Sequence, residues 1–301
     1  WWARAPGLGR RGAMGVAGGV GAWVRKVPGV GWLLRGKRGA AEPAGAEDLE
    51  VVRAEYPNAV GLEDYMQAVE RNLAAKGFKR DNAIALVGIC RDEACRPFQE
   101  RIEKGYGLSF SQCSLGGFVT MGQVGFGAAM GHCPLDPEDG RERFVFYGFP
   151  HVGVSHQGVG KLDRTGRPAS GACGALLGAL GVIQGADDMQ KLANTPPTAE
   201  DPEFTSLVSK LAARIVKDNI DKDSLDPKSI TELSEAVIAD ELEGHVEQAV
   251  KGRDCDYALI TGIQINGSYH TDDQAVERHY LTPGKSYCVV KGERTELNLD
   301  I

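Results

Sequence analysis

Two apolar runs without polar alternation constrain this chain more than any other feature. AIALVGI (Ala83–Ile89) and RFVFYGFPHVGVS (Arg143–Ser155) are almost continuously hydrophobic. A strand with one wet face alternates polar and apolar residues, whereas a continuous apolar strand needs cover on both faces, as in a sheet between helix layers. Segments with helical periodicity could supply that cover. LEDYMQAVERNLAAKGF (Leu62–Phe78) carries apolar residues at helical spacing and stops on Lys-Gly, and RPFQERIEKGYG continues as a helix with Pro97 in its first turn. SGACGALLGALGVI (Ser170–Ile183) begins with small residues and becomes an apolar helix. In the second half, DPEFTSLVSKLAARIVKDNI and DPKSITELSEAVIADELEGHVEQAVKG both open on Asp-Pro with amphipathic periodicity, while DYALITGIQING and KSYCVVKGE read as strands. No repeat or linker divides the chain after residue 46, so the expectation is one α/β domain over residues 46–301 with a helical insertion in its second half.

Composition excludes whole classes of function. A net charge of −7 over 301 residues does not provide the clustered cations that displace counterions from a nucleic acid. No uncharged apolar run reaches the roughly 18 residues of a membrane span. The first segment differs from the rest: Trp1–Ala41 contains no acid, while Arg4, Arg10, Arg11, Arg25, Lys26, Arg35, Lys37 and Arg38 are scattered among Gly, Ala and Val. That acid-poor, Arg-rich character fits an organellar transit segment, and without an initiator Met the chain reads as a fragment. A disordered basic tail is the alternative, and either reading sets residues 1–45 apart from the fold.

The seven cysteines, at 90, 95, 113, 133, 173, 255 and 288, form no paired framework and no Cys-x-x-Cys. Free thiols in a reducing compartment fit better than disulfides. Three candidate sites follow. The Gly-rich LGGFVTMGQVGFGAAMGH lacks the order of a nucleotide loop, so helix–sheet packing explains its glycines better. His132 beside Cys133 could be a metal pair, although adjacent residues rarely face one centre. Cys90 and His151 fall at strand ends, where open α/β sheets bind ligands, and Cys173 falls at a helix start, where the dipole favours a thiolate. Together they would make a zinc site with three protein ligands and a fourth position open, unless the two cysteines are simply small buried hydrophobes.

The strings ICRDEACRPF, GFGAAMGH, FVFYGFPHVGVS and SGACGALLGAL resemble the limiting-CO2-inducible protein B/C family of algal carbon-concentrating proteins, from about Tyr56 to Tyr269. The resemblance implies a β-carbonic anhydrase-like fold, a mostly parallel sheet flanked by helices. The wider β class carries Cys-x-Asp-x-Arg followed by His-x-x-Cys-Gly. Carried over, the resemblance implies that Cys90, His151 and Cys173 hold Zn2+, with Gly174 as the following Gly and Asp92 as the acid of an Asp–Arg dyad. Two departures stand out. The position two after Asp92 is Ala94, so Arg96 or Arg91 is expected as the dyad arginine. The stretch from His151 to Cys173 is also longer than His-x-x-Cys, so an insertion must loop out between strand and helix. His156 or His132 is a candidate proton shuttle.

The activity implied is interconversion of carbon dioxide and bicarbonate in a chloroplast stroma, by a homodimer or a hetero-oligomer with a related chain. A non-catalytic carbon-concentrating subunit is the alternative, and a cysteine-nucleophile enzyme using Cys90 with His151 is a third reading.

Overall fold

The computed structural model describes residues 46–164, 167–267 and 278–299. The basic segment 1–45 lies outside the described residues. In chain order the elements are helix α1 (Ala46–Glu55), strand β1 (Val60–Gly61), α2 (Leu62–Ala74), β2 (Ile84–Ile89), α3 (Arg96–Tyr106), β3 (Ser109–Ser111), α4 (Gln123–Met130), β4 (Glu142–Phe149) and β5 (His151–Ser155). Then come β6 (Gly158–Val159), β7 (Lys161–Arg164), β8 (Arg167–Gly171), α5 (Gly174–Gln184), α6 (Met189–Ala193), α7 (Pro202–Asp218), α8 (Pro227–Val250), β9 (Cys255–Asn266), β10 (His279–Val290) and β11 (Glu293–Glu296).

The main sheet runs in the order β1–β10–β9–β4–β2–β3. Its centre is parallel: β2 pairs with β3 and β4, and β9 with β4 and β5. The β10 side is antiparallel, joining β9, β1 and β11. Both apolar runs are fully covered, as their lack of alternation requires. Ala85, Val87 and Ile89 of β2 share one core with Phe98 and Ile102 of α3. Ile84 and Leu86, pointing the other way, share a second core with Phe126 and Met130 of α4 and Leu242 and Val246 of α8. The expected second-half insertion is α6 to α8, between α5 and β9. Its two long helices start where Asp-Pro predicts: Asp201 accepts from Phe204 N, and Asp226 forms a capping box with Ser229.

The longer apolar run does not end at His151. Pro150 has no N–H to give the ladder and interrupts the strand, which resumes at His151 as β5. Gln264 N still donates to the Pro150 carbonyl (3.0 Å), so β9 carries the register across the break. His151 therefore opens a strand inside the sheet, opposite Gln264.

Candidate metal centre

Three chain segments converge at the C-terminal edge of the parallel strands. Cys90 directly follows β2, and its neighbour Arg91 donates its N–H to the Ser114 carbonyl (3.1 Å). The Leu115–Gly117 turn beyond Ser114 lines this edge. Gly117 has φ +78°, and a Cβ there would collide with the Phe149 carbonyl, so glycine is needed for the close approach. Cys173 is the N-cap of α5.

The expected insertion between His151 and Cys173 is the β6–β8 excursion. It returns to the sheet edge because Gly153 N donates to the Ala172 carbonyl (2.9 Å) and Ala172 N to the Gly160 carbonyl (3.1 Å). Strand β7 crosses directly over β5 at Gly153, where a Cβ would lie 2.8 Å from the Lys161 carbonyl oxygen. An excursion of this length therefore closes back onto β5 and sets Cys173 beside His151.

The Cys90 and Cys173 sulfurs are 3.8 Å apart. One ligand atom from each of Cys90, His151 and Cys173 lies within 4.8 Å of the others, and all three residues are buried. Hydrogen bonds from the Cys173 and Cys95 thiols pull the Cys90 thiol far below its ordinary range. Cys173 is pushed correspondingly up, chiefly by that same contact, against the opposing pull of the Ala175 and Leu176 amides at the start of α5. Burial alone would lower the His151 pKa, but the adjacent Cys90 thiolate outweighs it and raises it.

These donors fit a zinc ion. Two sulfurs and an imidazole are the soft and borderline ligands that zinc prefers, and three protein ligands leave one position for a reactant. His151 Nε2 is buried and, among the described residues, meets no hydrogen-bond partner in bonding geometry, which is a costly state unless the nitrogen is a ligand. His151 Nδ1 lies 2.8 Å from Asn266 Oδ1, which holds the ring from its other side.

Asp92 Oδ2 stands 3.9 Å from His151 Nε2. Its side chain also caps the short turn Glu93–Cys95, with Oδ1 accepting from Ala94 N at 3.0 Å. The arginine on Asp92 is neither Arg96 nor Arg91. Arg96 is exposed and pairs with Glu100, while Arg91 pairs with Glu203 and donates to the Cys113 carbonyl. Instead Arg164 reaches in from β7, its Nη2 at 2.9 and 3.0 Å from the two Asp92 oxygens. Its Nε donates to Glu93 and its Nη1 to Ser170.

The family is decided by the match of sequence and fold. A family model described as limiting CO2-inducible proteins B/C β-carbonic anhydrases matches residues 59–290. The chain belongs to the limiting CO2-inducible protein B/C family. The solved structure of the limiting CO2-inducible protein LCIB is 34% identical, with a TM-score of 0.67 over 82% of this chain and 96% of that one. The structure of PtLCIB4, a homolog of LCIB, has the same fold at 21% identity, with a TM-score of 0.65 over 83% of this chain and 99% of that one. No curated protein matches.

Within this limiting CO2-inducible protein B/C fold the remaining candidates lie apart from the cluster. His132 is exposed and meets the edge of Phe110, and the Cys133 thiol donates to the Pro134 and Arg143 carbonyls. His156 is exposed. Sequence reasoning missed Arg164, Asn266 and Cys95 as neighbours of the cluster. Arg164 carried no readable signal, because its role depends on how the insertion folds back. Asn266 did: Gln264 and Asn266, two amides on one face of the mostly apolar strand LITGIQIN, are unexpected in a buried strand.

Proposed function

We propose that this chain is a zinc-dependent carbonic anhydrase interconverting carbon dioxide and bicarbonate, within an algal carbon-concentrating mechanism in the chloroplast stroma. The observation carrying this reading is the Asp92 carboxylate, clamped by Arg164 and set 3.9 Å from His151 Nε2 of the Cys90–His151–Cys173 cluster. Family membership and the acid-free segment Trp1–Ala41 support the setting.

Cys90, His151 and Cys173 would hold the ion. When bound, zinc lowers the pKa of a coordinated water toward neutrality and so supplies hydroxide to attack carbon dioxide. Oδ2 of Asp92, 3.9 Å from His151 Nε2, is the group that would accept and orient a proton beside the ion. The Arg164 guanidinium holds both carboxylate oxygens and the Ala94 amide holds Oδ1 as well, which would keep the carboxylate from swinging onto the open position. We also propose at least a homodimer, supported by the apolar side chains Val124 and Leu135, which are 89% and 65% exposed.

Zinc analysis of the purified full chain with stopped-flow carbon dioxide hydration tests the reading. One zinc per chain with hydration above the buffer rate is expected. Stoichiometric zinc without hydration would replace it with a non-catalytic subunit.

A further inference from the structure

Asn266 closes β9 and His279 opens β10, directly opposite in the antiparallel ladder. Both are buried, and their side chains continue away from His151 as a chain of polar contacts. Asn266 Oδ1 lies 2.8 Å from His151 Nδ1. Asn266 Nδ2 lies 2.8 Å from the Ala94 carbonyl oxygen and 3.1 Å from His279 Nδ1.

The protonation of this chain follows from its one invariable member. A backbone carbonyl accepts and cannot donate, so the Ala94 oxygen dictates which end of the Asn266 amide faces it. Nδ2 must point to Ala94, which leaves Oδ1 toward His151. An amide oxygen only accepts, so His151 Nδ1 must carry the proton. A neutral imidazole has one N–H, and His151 Nε2 is then a bare lone pair, the same buried atom that lacks a partner among the described residues. The second Nδ2 hydrogen goes to His279 Nδ1, so His279 carries its own proton on Nε2. With its oxygen and both hydrogens engaged, the Asn266 amide cannot flip without losing bonds at buried atoms.

The same peptide unit also bears on Asp92. The Ala94 N–H donates to Asp92 Oδ1, while its carbonyl receives Asn266 and also Gln264 Nε2 (3.2 Å). One turn thus sets both the carboxylate and the imidazole.

We infer that Asn266 and His279 are positioning residues that lock His151 in its Nδ1–H tautomer and present Nε2 to the metal. This rests on reading the Cys90–His151–Cys173 cluster as a zinc site. The role is distinct from packing because it predicts a proton's location and a dependence of His279 on Asn266.

Two measurements test it. The first is zinc affinity by chelator competition, with the visible spectrum of the cobalt-substituted protein. Asn266→Ala weakens zinc binding by about 10- to 100-fold. His279→Leu weakens it less, and His279→Gln, whose Oε1 can still accept from Asn266 Nδ2, restores wild-type affinity and spectrum. In the double variant, His279→Leu adds nothing to Asn266→Ala, since it acts through that amide. Unchanged affinity in Asn266→Ala, or additive losses in the double variant, overturns the inference.

The second measurement needs no metal. Nitrogen-15 NMR of the histidine-labelled, metal-free chain, at a pH where the His151 ring is neutral, should place its proton on Nδ1. A proton on Nε2 overturns the inference. A chain that binds neither zinc nor cobalt yet shows the Nδ1 proton, lost in Asn266→Ala, would sink the zinc reading and leave the tautomer assignment standing.

Discussion

Asp92 and Arg164 are 72 residues apart in the chain, yet one guanidinium nitrogen of Arg164 lies 2.9 and 3.0 Å from the two carboxylate oxygens of Asp92. The side chains are each 17% exposed, so the contact is screened less than a surface ion pair. Arg164→Ala should therefore lower carbon dioxide hydration while zinc content stays at one per chain, because no ligand is touched. Asp92→Asn should cost about 10²- to 10⁴-fold, the usual range for losing a proton acceptor. Arg91→Ala and Arg96→Ala should leave the hydration rate near wild type. A large loss in Arg96→Ala with full activity in Arg164→Ala would return the dyad role to Arg96.

The ligand set predicts a sharp division among the cysteines. Cys90→Ser, Cys173→Ser and His151→Ala should release zinc, measured by elemental analysis after dialysis, since a two-ligand remnant holds the ion poorly. Cys113→Ser, Cys255→Ser and Cys288→Ser should keep full zinc. Activity surviving complete zinc removal would instead favour Cys90 as a nucleophile.

Zinc affinity should weaken as pH falls. Contact with Cys90 raises the Cys173 thiol, and the Cys90 thiolate raises His151 over the opposing effect of burial, so protons compete for both sites from the alkaline side downward. The logarithm of the zinc dissociation constant should rise by about one per pH unit for each proton displaced. Hydration activity should favour alkaline pH, because two cysteinates would neutralise part of a bound zinc ion's charge and leave its water less acidic than in a three-histidine site. An acid optimum would contradict the ligand set.

Stability should carry the signature of His279. Burial lowers its pKa from 6.5 to about 4, so the unfolded chain takes up this proton first on acidification. The contribution is full above pH 6.5 and is lost as the pH falls to about 4, on the order of 3 kcal/mol. Urea unfolding across that range should show the loss, and His279→Gln should flatten the slope. An unchanged slope in that variant would assign the loss to other groups.

Light scattering of the full chain at micromolar concentration should return at least twice the 32.2 kDa chain mass. A monomer mass would defeat the proposed assembly.

The class of the fold was legible in the residues alone, whereas the ligand set came from the resemblance. Apolar runs without alternation require a sheet covered on both faces, and AIALVGI and RFVFYGF are so covered. Asp201 and Asp226 cap helices through local hydrogen bonds that depend only on neighbouring residues. Cys90 at the end of β2 and Cys173 at the start of α5 stand where the periodicity put them, while His151 opens β5 instead of ending a strand. What lies around them was decided only by tertiary structure. Arg91 and Arg96 are near Asp92 in sequence but project toward Glu203 and Glu100, because the turn after Cys90 sends successive side chains in different directions. Arg164 reaches Asp92 because β7 folds back across β5, and Asn266 reaches His151 because β9 pairs with β5. Such contacts depend on register between distant strands, and no local periodicity encodes which residue arrives.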